Sequence, residues 1–102
     1  MRLHEIAHAR TGDKGDTSNI SLIAYAEADW RALRDRVTPE RVAAHFGTFP
    51  ARAVTRYELP QLQALNFVIR GALTGGVTRS LAQDAHGKCL ASVLLEMELP
   101  EG

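Results

Sequence analysis

Cysteine is almost missing from this chain: Cys89 is the single one among 102 residues. One thiol cannot close an internal disulfide, so the core must hold the fold, and a reducing, cytoplasmic setting is expected. An excess of charge is missing too, with 12 basic residues against 12 acidic ones. That balance leaves no electrostatic footprint for nucleic acid, and no acidic run marks a disordered tail. No apolar run approaches the ~18 residues that would span a bilayer, so no membrane partner is expected. The opening stretch MRLHEIAHARTG puts His4, Glu5 and His8 where a secretory leader would be apolar, which argues against a signal peptide. Internal repeats and low-complexity tracts are absent. What is present is an apolar fraction of 45%, enough for one core in one domain over residues 1–102.

Residues 3–9 alternate loosely and predict a strand, and the polar stretch 11–17 then reads as a long turn. NISLIAYA, residues 19–26, puts Ile20, Leu22, Ala24 and Ala26 on one face of a half-buried strand, with Ile23 and Tyr25 on the other. Asp29 suits the N-cap of a helix whose Trp30, Leu33 and Val37 recur at helical spacing. In TPERVAAHFG, Thr38 is the cap, Pro39 the first helical residue and Gly47 the stop, so a second helix follows almost directly, as if one unit were kinked. ARAVTRYEL, 51–59, predicts a strand ended by Pro60. ALNFVIRG, 64–71, fits both periods; its short length, β-branched and aromatic content and flanking Pro and Gly favour a strand. Residues 88–99 fit both periods as well and are read as a helix from about Lys88, the alternative being a hairpin of 77–82 with 89–99.

The resulting order, ββα(α)ββα, is that of a ferredoxin-like βαββαβ domain with its last strand moved to the front. The expected class is therefore α+β: a permuted ferredoxin-like sandwich, an antiparallel sheet with helices on one face.

The chemistry-bearing residues gather in polar stretches. ARTGDKGDTSNISL holds Gly12 and Gly15, which can take positive φ and turn backbone N–H groups into an anion hollow, with Lys14 adding charge. Asp13 and Asp16 oppose a phosphate, and with the hydroxyls of Thr17 and Ser18 they offer oxygen ligands to Mg²⁺ or Ca²⁺. Against both stands a self-capped turn, in which Asp13, Asp16 and Asn19 bond nearby backbone. Lys14 already supplies the countercharge, so no resident metal and no cofactor are expected. GGVTRS brings Arg79 and Ser80, Arg79 being suited to a bidentate hold on carboxylate or phosphate. DAHGK places Asp84, His86 and Lys88 around Gly87, as a site or as an ordinary turn. Asn66, among apolar neighbours, needs a partner and either fastens an adjacent loop or touches a ligand. His4 and His8 lie on a strand and make a poor zinc pair, His45 beside Phe46 suits helix packing, and Cys89 lacks an activating motif. A further expectation is that Lys14 and Arg79 face a common anion, or that Arg79 instead pairs with Asp13 or Asp16 and ties two loops together.

RTGDKGDTSNISLIAYA, YELPQLQALNF and GALTGGVTRSLAQDAHGK, in this order over nearly the whole chain, resemble the C-terminal domain of the acyclic terpene utilisation protein A (AtuA) family. Thr74 and Gln83 are local departures from that pattern. The resemblance implies a ferredoxin-like module normally fused behind a large N-terminal domain, in proteins associated with bacterial degradation of acyclic terpenoids such as citronellol and geraniol through CoA thioesters. For this chain it implies a small subunit that docks on an AtuA-like large chain, and polar loops that complete a site shared with it rather than catalysing alone. The alternative is an independent homo-oligomeric module, paired through an exposed sheet face, or a small enzyme, taking an anionic or CoA-thioester ligand.

Overall fold

The structure, a computed structural model, describes residues 1–14, 17–47, 50–70 and 88–99. Four strands, β1 Ala7–Lys14, β2 Thr17–Ala24, β3 Val54–Leu59 and β4 Ala64–Ile69, form one antiparallel sheet in the order β1-β2-β4-β3. Among the described residues three α-helices lie between and after them: α1 Glu27–Arg36, α2 Pro39–Phe46 and α3 Lys88–Leu95. The order is the permuted ferredoxin-like one. The helix at 88–95 settles the last segment against a hairpin; residues 77–82 lie outside the described residues.

Alternation decides which way each strand faces. Ile20, Leu22, Leu65, Phe67 and Ile69 are fully buried beneath Trp30 and Leu33 of α1, Val42 and Phe46 of α2, and Leu90 and Leu94 of α3, in one apolar cluster. α1 packs on β2 and β4, α2 on β3, and α3 on β1. Burying a large aliphatic or aromatic side chain contributes about 1.5–3 kcal/mol, so this layer carries most of the folding energy. Arg56 reaches from β3 under α1, donating to the carbonyls of Arg34 (2.8 Å) and Val37 (3.0 Å) and pairing with Glu58 at 2.9 Å. It satisfies helix-end carbonyls that would otherwise lack a donor.

The α2 ends follow the sequence closely. Thr38 Oγ1 accepts from the Arg41 amide at 3.2 Å, and Gly47 closes the helix at φ 74°. α1 differs from expectation. It starts at Glu27 with Ala26 at the N-cap and no side-chain cap, and Asp29 sits inside the first turn. Glu27 and Asp29 both lie where the helix dipole favours carboxylates, so charge replaces a cap. α1 and α2 are separate helices, divided at Val37 and Thr38.

The first strand also differs. Leu3–Glu5 is a 3-10 turn, and β1 begins only at Ala7 and continues through Thr11–Lys14 to pair with β2 as far as Lys14 opposite Thr17. The expected long turn at 11–17 is therefore a hairpin with just residues 15 and 16 between paired strands. Tyr25 and Ala26 fall beyond the end of β2. At the other end of the molecule the chain termini meet. The Leu3 amide donates to the Met97 carbonyl (2.9 Å), the Leu99 amide to the Met1 carbonyl (2.8 Å), and the Met1 ammonium pairs with Glu98 at 2.9 Å.

Candidate functional site

The helices cover one face of the sheet, and no described element packs on the other. Its positions follow from the register. One row across all four strands is Arg10, Ser21, Asn66 and Tyr57. On one side of it runs His8, Ile23, Ala64 and Leu59, and on the other Gly12, Asn19, Val68 and Thr55. A polar row thus lies between a mostly apolar row and a mixed one.

Asn66 Nδ2 donates to Ser21 Oγ at 2.9 Å, fastening a neighbouring strand rather than a loop. Arg70, just past β4, donates to Thr55 Oγ1 at 2.7 Å and also to the Arg52 carbonyl. His8 stacks on Tyr25 with centroids 5.5 Å apart. Beside the polar row a hollow of about 370 Å³ is floored by Ile23, Leu59, Leu62 and Ala64 and edged by His8, Arg10 and Ser21. Leu62, which lines it, stands 67% exposed, and Tyr25 (61%) and Tyr57 (53%) are exposed elsewhere along the same face. Leu62 is held there by a turn over Pro60–Leu62 that closes on Gln63 at φ 53°, a left-handed conformation in which a side chain is strained.

The polar residues singled out in the sequence distribute differently from a loop site. Asp13 and Lys14 are the last two positions of β1, and Thr17 opens β2. Asn19 occupies the open face opposite Gly12. Gly12 lies in the paired register of β1 and not at positive φ; a Cβ there would come within 3.3 Å of the Asn19 amide, which would have to shift slightly. Ser18 is fully buried and its hydroxyl donates to the Gly12 carbonyl at 3.2 Å, across the β1–β2 pairing. Gly15, Asp16, Arg79, Ser80, Asp84 and His86 lie outside the described residues, and Lys88 is the first residue of α3. The expected meeting of Lys14 with Arg79 falls there as well. Among the described residues no group of three His, Cys, Asp or Glu could hold a metal ion, and no helix is long and apolar enough to cross a membrane.

His4 lies in the first 3-10 turn while His8 is on β1, so they do not share a strand. His45 does pack between helices: its Nε2–H donates to the Val93 carbonyl at 2.6 Å, and its ring meets Phe46 edge-on at 5.8 Å. One shifted group stands out, at the joined termini. The carboxyl of Glu98 is held below its ordinary value, first by its hydrogen bond to the terminal ammonium, then by that charge and by Arg2, against a small opposing effect of desolvation.

Sequence reasoning missed Arg10, Tyr57, Leu59 and Leu62 as surface residues of one face. The available signal was the alternation in ARTG and in YELPQL, whose outward positions fall on the side that the helices do not cover. No curated protein and no solved structure matches the chain. The sequence profile of the AtuA ferredoxin-like domain matches residues 1–100, and the antiparallel sheet with helices agrees with a ferredoxin-like domain, so the chain belongs to the AtuA ferredoxin-like domain family.

Proposed function

We propose that this chain is the small accessory subunit of an AtuA-like protein and docks on a separate AtuA-like large chain through the uncovered face of its sheet. The observation that carries the reading is the set of large apolar side chains, Tyr25, Tyr57, Leu59 and Leu62, left exposed at that face. Exposed aromatic and leucine side chains gathered on one surface mark interaction sites. Family membership supports the choice of partner, because the resemblance implies a module normally fused to that large domain. The cellular role that goes with it is cytoplasmic degradation of acyclic terpenoids of the citronellol and geraniol type by way of CoA thioesters. Lys14 and Arg79 are proposed to hold an anionic group at the junction of the two chains.

A second reading is favoured by the hollow beside Arg10: an independent module that takes an anionic or CoA-thioester ligand there, alone or as a homo-oligomer. Co-expression separates the two. A tagged copy of this chain is expected to retain the large chain of the same organism through gel filtration at micromolar concentration. Two separate peaks would reject the subunit reading.

A further inference from the structure

We infer that the open face receives a protein surface that carries carboxylates around a projecting apolar side chain, and that a second copy of this chain is not that surface. The inference rests on the docking reading above and specifies the chemistry of the partner. Its first ground is charge. Across the described open-face register lies Arg10, with Arg70 bonded into the same side, and not one Asp or Glu, although acidic and basic residues balance in the chain as a whole. Arg10 is exposed and makes no ion pair with a described residue, unlike Arg2, Arg34 and Arg56. A guanidinium at the centre of an interface needs a carboxylate opposite, because desolvating it unpaired is costly.

The second ground is the distribution of apolar exposure. Five large hydrophobic residues are exposed among the described residues, and four of them, Tyr25, Tyr57, Leu59 and Leu62, border this face. The hollow floored by Ile23 and Ala64 adjoins Arg10 and Ser21, so one insertion would bury an apolar side chain while a neighbouring carboxylate met the guanidinium. Aromatic and arginine anchors around a central pocket are the usual energetic centre of protein interfaces.

The third ground excludes self-association through this face. A two-fold axis parallel to the sheet would set the cationic face against itself with no acid on either side. Like charges brought together in this way oppose association.

The test is a calorimetric titration of the intact chain with the AtuA-like large chain of the same organism, at 50 and 500 mM NaCl, with sedimentation of the chain alone. Binding is expected to weaken about tenfold or more with the added salt. Arg10→Glu should weaken it roughly tenfold to a hundredfold, and Leu62→Ser roughly tenfold. Both side chains are exposed, so melting temperatures should hold; Leu62→Ser keeps the test decisive should Arg10→Glu fail to fold. The chain alone should sediment as a monomer. Tight binding indifferent to salt and to both variants would overturn the inference and leave the docking reading standing. A homodimer dissociated by Leu62→Ser would overturn it as well. No binding by the unaltered chain would remove both.

Discussion

β4 has two faces made from alternate residues, and they obey different rules. Leu65, Phe67 and Ile69 are fully buried against helices, whereas Asn66 and Val68 between them are only half-buried. The covered face holds its shape by close packing, where a lost methylene leaves a void. The open face has a hydrogen bond between Asn66 and Ser21, a histidine stacked on a tyrosine, and exposed side chains such as Tyr57 and Leu62. The difference teaches what each face asks of a residue. On one face a residue answers to the packing of the fold, and on the other, under the docking reading, to a partner.

Four substitutions sharpen that contrast. Phe67→Ala should destabilise most, by about 3–5 kcal/mol in urea unfolding, because a fully buried ring leaves both lost transfer energy and a cavity. A cost under 1 kcal/mol would mean that the covered face is loosely packed. Next, Arg56→Ala should cost about 1.5–3 kcal/mol, since it strips a charged donor from two helix-end carbonyls. Asn66→Ala, one residue from Phe67, should cost only about 1 kcal/mol for the single bond to Ser21. Tyr57→Ala should change stability by no more than about 0.5 kcal/mol, as exposed sites generally do. A larger loss there would mean that the open face is part of the folded core after all.

The smallest effect is expected at the joined termini, on neither face. Glu98 has a lowered pKa, so its contribution is present above its ordinary value near 4.5 and is lost as pH falls through the lower folded value. Acid melting curves of Glu98→Gln and the parent should therefore differ slightly at neutral pH and converge below that value. Curves that stay parallel would remove the ammonium–Glu98 pair as the cause.

Much of the architecture was legible because burial and periodicity agreed. Thr38, Pro39 and Gly47 announced α2 through cap chemistry, and the period-2 run Leu65, Phe67, Ile69 identified β4. The misreading came from polarity at 11–17. Thr11, Gly12, Asp13 and Lys14 looked like turn residues because strands are expected to be apolar, but they extend β1 in register with β2 as far as Lys14 opposite Thr17. Asp29 misled for a different reason. A good capping residue was present, but the backbone had already entered the helix at Glu27, with carboxylates in its first turn to satisfy the dipole. The site was less legible than the fold, since Arg10 and Leu62 are distant in sequence and acquire a common meaning only when β2 and β4 bring their strands together.

The bonds that join Leu3 to Met97 and Met1 to Leu99 make the domain a near-closed loop of chain. Where such a ring is cut is a matter of covalent bookkeeping and not of packing. A splice from residue 99 to residue 1, with the cut moved to residues 15–16, would run β-α-α-β-β-α-β over the described elements and through the same contacts, with β1 arriving last. Gene rearrangement can therefore slide between the two orders through the joined ends without rebuilding the core, and a neighbouring domain attached at either end would emerge from the same corner of the molecule.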